Sequence, residues 1–211
     1  MARIKICGIT NKNDALAASS LGAWAVGFIF YEKSPRYISP EDAKKIIEAL
    51  PKTVLPVGVF VNEKKKKIDD IVKRCGLKAV QLHGEETPLF CSKIKGVKMI
   101  KAIRVKSKGD ITKAVKYTTD YLLFDTFSKN VFGGTGETFN WEILKDSRLG
   151  KRKVILSGGL NPKNIAQAVL LVKAYAFDAS SGVERRPGKK CQRLLKNFFK
   201  AVYDDKKELD K

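Results

Sequence analysis

The chain opens on an alternation. In Arg3-Ile4-Lys5-Ile6-Cys7-Gly8, Ile4 and Ile6 fall on one side of an extended segment, and Lys5 and Cys7 on the other. A period of two reads as a strand. Gly8 stops it, and a helical pattern follows from Asn11 to Leu21, closed by Gly22. Further strands are predicted at about Ala23–Phe30, Val54–Val61, Lys78–Leu82, Lys98–Val105, Tyr121–Asp125, Lys153–Leu156 and Ala174–Asp178. Between and after them, helices are predicted from Ser39-Pro40 to Leu50, Glu63 to Cys75, Thr87-Pro88 to Gly96, and Asp110 to Tyr117. Three more are expected near Trp141 to Lys145, from Asn161-Pro162 to Val172, and from Lys189 to Tyr203. Asn11 and Ser39 are suited to cap free N–H groups, and Glu41 and Asp42 sit where the helix dipole is positive.

Strict strand–helix alternation gives a parallel sheet. Eight strands alternating with eight helices predict a closed (β/α)₈ TIM barrel, an α/β fold, and 211 residues suit its small end as one domain. The first turn, Cys7-Gly8-Ile9-Thr10, lacks the glycine fingerprint of a doubly wound dinucleotide fold. A charged tail is expected from about residue 204.

Composition narrows the function classes. Four cysteines lie far apart without a Cys-x-x-Cys pair, and His83 is the sole histidine, so neither a zinc site nor a disulfide framework is expected. No metal or cofactor motif is expected, and a reduced, cytoplasmic protein is. No opening signal pattern stands out, and no apolar run approaches the roughly 20 residues of a membrane span. The formal net charge is +20, but lysines such as Lys64 to Lys67 are spread over predicted helices. They are not interleaved with aromatics as on a base-stacking surface, so a solvated surface and no nucleic-acid partner are expected. A phosphate-bearing small molecule would gain electrostatic steering.

In parallel barrels, ligands bind at the C-terminal ends of the strands. Cys7 ends the first strand; read alone, it is equally a small buried hydrophobe. Ser157-Gly158-Gly159 and Asp178-Ala179-Ser180-Ser181-Gly182 follow the seventh and eighth strands, where this fold often holds phosphate on backbone N–H groups. Asp125 is the last inward residue of an apolar strand, a general-acid candidate or a loop cap. Asp178 is placed alike. Gln81 and His83 share a direction, and His83 suits proton transfer or a structural hydrogen bond. Arg36 can clamp a carboxylate with its planar fork, or lie on the surface. A phosphate site, a thiol and a carboxylate suit cofactor-free proton transfer on a sugar phosphate.

Seven stretches resemble, in order, the motifs of the phosphoribosylanthranilate isomerase family. They are Lys5-Ile6-Cys7-Gly8-Ile9-Thr10, Ser34-Pro35-Arg36, Val57-Gly58-Val59-Phe60, Val80-Gln81-Leu82-His83-Gly84, Gly133-Gly134-Thr135-Gly136, Leu156-Ser157-Gly158-Gly159-Leu160 and Asp178-Ala179-Ser180-Ser181-Gly182-Val183-Glu184. One departure is Lys189-Lys190-Cys191, where the family commonly has a Lys-Asp pair near the start of the last helix. The resemblance implies an Amadori rearrangement of N-(5-phosphoribosyl)anthranilate in tryptophan biosynthesis, without a cofactor, in a monomer or homodimer. It implies Cys7 as general base, Asp125 as general acid, and Arg36 on the anthranilate carboxylate. It also implies Gly158, Gly159, Ser180 and Ser181 on the phosphate, with His83 and Asp178 lining the sugar and amine. Two rivals are the sister isomerase of histidine biosynthesis, which has an aspartate where this chain has Cys7, and a basic, non-catalytic binding protein. A base gains from a thiol tuned below its free pKa of about 8.5; Lys5 is expected to supply the charge for this or to pair with a barrel carboxylate.

Overall fold

The alternation of the opening segment becomes a wall between two cores. In the computed structural model, residues 2–126, 138–144, 149–150 and 152–209 are described, the last six by backbone alone. The strands are β1 (Arg3–Cys7), β2 (Ala25–Ile29), β3 (Leu55–Phe60), β4 (Ala79–Leu82), β5 (Lys98–Val105), β6 (Tyr121–Thr126), β7 (Lys153–Leu156) and β8 (Ala176–Ala179). Each pairs in parallel with the next, and β8 returns to β1 in the register Arg3↔Ala176 and Lys5↔Asp178. The sheet is therefore a closed eight-stranded (β/α)₈ barrel. Ile4, Ile6, Val26, Phe28, Leu122, Phe124 and Phe177 belong to the larger apolar cluster, shared with the helices. Their neighbours Ala25, Val57, Ala79, Ile100, Leu123, Ile155 and Ala176 form a second cluster inside the barrel. Each fully buried Ile or Phe contributes about 1.5–3 kcal/mol. Trp24, Tyr121 and Tyr175 close the interior at the N-terminal end, with centroids 5.3–5.6 Å apart. This leaves the C-terminal mouth to the polar residues.

The helices are α1 (Lys12–Ser20), α2 (Pro40–Glu48), α3 (Lys65–Cys75), α4 (Pro88–Ser92), α5 (Lys108–Ala114), α6 (Ile165–Leu171) and α7 (Gln192–Leu209). The side chains of Asn11, Ser39 and Thr87 accept the N–H groups of Asp14, Asp42 and Phe90 at 3.0–3.2 Å, capping α1, α2 and α4.

Helix α4 stops at Ser92 rather than Gly96, and α6 starts at Ile165 with Asn164 as its N-cap rather than at Asn161-Pro162. Three further departures bear on the site. Among the described residues there are seven α-helices rather than eight, and Trp141–Leu144 after β6 is a 3₁₀ turn. Lys145 and most of the glycine-rich stretch, residues 132–137, lie outside the described residues. Helix α5 begins at Lys108, not Asp110, because the Asp110 carboxylate accepts the Ser107 N–H at 2.9 Å and fixes the start upstream. The last helix begins at Gln192, not Lys189. Lys189–Lys190 form a strand, β10, antiparallel to β9 (Glu184–Arg186), with the turn at Pro187-Gly188. Gly188 has φ +74°, which suits a turn with proline before it.

Candidate active site

The C-terminal mouth of the barrel holds a cavity of about 380 Å³. It is lined by Cys7, Arg36, His83, Asp125, Gly158, Gly159, Asp178, Ser180 and Ser181, the residues to which the resemblance gives a role at the substrate. Tyr31, Val59, Val61 and Leu160 add apolar and aromatic wall.

Strand pleat explains the thiol. Lys5 and Cys7 share the inward face of β1, Lys5 wholly buried and Cys7 6% exposed at the cavity. Lys5 Nζ donates to Asp178 Oδ1 at 2.9 Å across the β1–β8 seam. Burial pulls the Lys5 ammonium down, but the Asp178 and Cys7 charges outweigh it, so Lys5 stays firmly protonated. Cys7 moves the other way. Burial pushes its thiol above the usual range; Lys5 and, more weakly, Lys190 pull it back, while Asp178 adds to the rise. Lys5 supplies the expected lowering and also pairs with a barrel carboxylate, Asp178, but desolvation is the larger effect and leaves the thiol raised.

Across the barrel, Gln81, His83 and Asp125 form a buried row. Gln81 Nε2 donates to His83 Nδ1 at 2.9 Å, and His83 Nε2 lies 3.1 Å from Asp125 Oδ2. Asp125 Oδ1 accepts the Thr126 N–H at 2.9 Å. In this arrangement His83 carries its proton on Nε2 and Asp125 is the acceptor. Gln81 Oε1 is buried without a partner among the described residues. Turning the amide over places that oxygen against Nδ1. The imidazole then holds its proton on Nδ1, and Nε2 is free to accept one from Asp125. Gln81 can therefore serve either protonation state of the pair.

Arg36 is 8% exposed and bound by a carboxylate of its own protein. Its Nε lies 3.1 Å from both Glu184 oxygens, and its Nη2 2.8 Å from Oε2. This fixes the plane of the guanidinium beside the cavity that Arg36 lines. The sequence reading had no role for Glu184, although it closes the last motif.

The loops after β7 and β8 complete the mouth. Gly158 has φ +90°, and a Cβ there would lie 2.3 Å from Thr126 Oγ1 and 3.1 Å from Asp125 Oδ1. Only glycine brings this loop so close to the acid candidate. Ser180 Oγ is buried without a partner among the described residues. Ser157 Oγ lies 3.5 Å from Asp178 Oδ2. Among the described residues, no group of three or more His, Cys, Asp and Glu side chains could hold a metal ion. No described helix is long and apolar enough to cross a membrane.

Comparison with known proteins agrees with this geometry. Residues 4–201 match the family model described as N-(5'phosphoribosyl)anthranilate (PRA) isomerase. The N-(5'-phosphoribosyl)anthranilate isomerase of Thermotoga maritima is 49% identical over 201 residues, 95% of this chain and 98% of the relative. That of Trichlorobacter lovleyi is 44% identical over 200 residues, 95% and 97% of the two chains. The crystal structure of phosphoribosyl anthranilate isomerase from Thermotoga maritima superposes with a TM-score of 0.91 at 47% identity, covering 97% of this chain and all of that one. A phosphoribosyl anthranilate isomerase in complex with reduced 1-(o-carboxyphenylamino)-1-deoxyribulose 5-phosphate superposes at 0.88, with 46% identity and 97% of this chain covered. By sequence, fold and the matched span, the chain belongs to the N-(5'-phosphoribosyl)anthranilate isomerase family.

Proposed function

We propose that this cavity carries out the phosphoribosylanthranilate isomerase reaction of tryptophan biosynthesis with Cys7 as general base and Asp125 as general acid. The observation that carries the assignment is the placement of a thiol and a hydrogen-bonded carboxylate on different strands of one cavity, between two glycine–serine loops. Asp125, protonated, gives its proton to the ribose ring oxygen. The anthranilate nitrogen supplies the electron pair that expels this oxygen, and the ring opens to a Schiff base. The Cys7 thiolate takes the C2′ proton, and that electron pair passes to C1′ and nitrogen, leaving an enolamine. Tautomerisation gives the ketone, 1-(2-carboxyphenylamino)-1-deoxyribulose 5-phosphate.

The remaining residues bind and orient. The free edge of Arg36 receives the anthranilate carboxylate, with Glu184 holding the fork behind it. Gly158, Gly159, Ser180 and Ser181 take the phosphate, the buried Ser180 hydroxyl gaining a partner there. Asp178 and His83 line the sugar and the amine between these ends. The ligand named for the relative has the same three parts: carboxylate, secondary amine and sugar phosphate. The protein acts in the cytoplasm.

The test is a fluorescence assay with freshly made phosphoribosylanthranilate, following loss of the anthranilate signal. Cys7→Ser is expected to bind substrate and lose nearly all turnover. A Cys7→Ser enzyme that keeps most of its kcat overturns the assignment of the base.

A further inference from the structure

Lys190 is a buried cation beside the cavity to which the reaction scheme gives no role. It lies on β10, is 3% exposed, and replaces the helix start expected from the sequence. Its Nζ donates to three oxygens: Cys7 O at 2.6 Å, Glu184 Oε1 at 2.8 Å and Ser180 O at 3.2 Å. These three oxygens belong to three parts of the site. One is the carbonyl of the base residue, one the carbonyl of the phosphate loop, and one the carboxylate that grips Arg36. Its own backbone N–H donates to Asp14 Oδ2 at 2.8 Å, which ties the ribbon to α1.

We infer that Lys190 is a positioning residue that sets the base, the phosphate loop and the carboxylate clamp in one mutual geometry. The inference rests on the proposed roles of Cys7 and Arg36. An ammonium has three N–H donors, and here three acceptors from separate segments converge on it. Two are backbone carbonyls, so their segments cannot withdraw without leaving a buried polar group unpaired. The third is shared: Glu184 Oε1 also lies 3.1 Å from Arg36 Nε. Displacing the ammonium therefore loosens both ends of the bound substrate and the residue between them. Burial draws the Lys190 ammonium down, with Glu184 opposing this, and the ammonium in turn favours the Cys7 thiolate. The charged groups acting on that thiol are Lys5 on its own strand, Asp178 on β8 and Lys190 on β10.

The experiment compares wild type with Lys190→Met and Lys190→Gln. Methionine has a similar length and leaves the Arg36–Glu184 pair intact. Thermal unfolding establishes folding, and kcat, KM and the pH dependence of Cys7 alkylation are then measured. Both variants are expected to fold, to lose roughly ten- to hundredfold in kcat/KM, and to show changes in both kcat and KM. The alkylation midpoint is expected to move to higher pH. A folded variant with kcat and KM within about twofold of wild type overturns the inference, as does failure of both variants to fold, which makes Lys190 a purely structural residue. Cys7→Ser, run alongside, separates the two readings. If it stays active, the assignment of the base falls. If it is inactive while the folded Lys190 variants are normal, only the role of Lys190 falls.

Discussion

Lys5 Nζ lies 2.9 Å from Asp178 Oδ1, joining the first and last strands of the barrel directly below the thiol of Cys7. The pair is buried, at 0% and 5% exposure. It divides the influence of one ammonium between a carboxylate and a thiol. Burial therefore prevails at Cys7, and its thiol is raised. The rate is expected to rise with pH through neutrality as thiolate accumulates. Asp178→Asn removes a charge that raises Cys7, so its alkylation midpoint should fall. Lys5→Met should raise it. Opposite movements in these two variants check the electrostatic account. The linkage to stability has a definite sign. A thiol raised by folding contributes stability below its unfolded pKa, and this is lost as pH rises through the folded value. The Tm of Cys7→Ser should consequently fall less steeply than that of wild type on the alkaline side.

Gln81 and His83 make a second prediction, because their row holds the Asp125 carboxyl in place. Asp125→Asn cannot release a proton to the ring oxygen and should remove nearly all turnover while KM changes little. Gln81→Leu keeps the acid but takes away both amide orientations. Its kcat should fall by about 10²-fold, the lower part of what a positioned general acid supplies. The split between kcat and KM is the deciding measurement. Loss of the row should lower kcat and leave KM little changed, whereas simple loss of packing would lower the melting temperature and alter both.

Arg36 and Glu184 separate binding from chemistry. On the proposed role, Arg36→Met removes the partner of the substrate carboxylate and leaves Glu184 with Lys190 as its buried cation. Truncating one side of such a pair costs about 2–5 kcal/mol, so kcat/KM should fall on the order of a hundredfold or more, chiefly through KM. A substrate analogue without the carboxylate should show little further loss in the variant.

Much of this was legible in the sequence because two periods do most of the work. The alternation of Ile4 and Ile6 against Lys5 and Cys7 is also the division between the helix-facing core and the cavity. Asp125 and His83 are inward by the same pleat. What escaped the sequence depends on partners far along the chain. Nothing local to Arg36 announces Glu184, and Lys5 meets Asp178 only when the barrel closes. Lys189-Lys190 reads as the start of a helix because lysine favours helices and sits beside one. The signal that was available is Pro187-Gly188 between two short charged runs, a turn signature that outranks propensity. The raised thiol of Cys7 escaped as well, since burial of a given atom is a property of packing and not of spacing.

The remaining prediction concerns stability beside the site. Lys101 and Glu86 form a further buried ion pair, at 2.7 Å and 2–3% exposure. Lys101 Nζ also donates to Gly84 O at 2.7 Å and to Leu82 O at 3.3 Å, while Glu86 Oε1 accepts the Asn62 N–H at 2.8 Å. The pair therefore holds the turn that carries His83. Lys101→Met leaves Glu86 buried without its cation, a change that costs about 3–5 kcal/mol. In a chain of this size each kcal/mol lowers Tm by about 2–4 °C, so a fall of roughly 10 °C is expected. Replacing both partners, as Lys101→Met with Glu86→Leu, removes the stranded charge and should recover part of that loss. It also frees the Gly84 and Asn62 N–H groups, which keeps the recovery incomplete. Thermal unfolding of the single and double variants decides this: a double variant as unstable as Lys101→Met would place the cost in the lost carbonyl contacts rather than in the unpaired carboxylate.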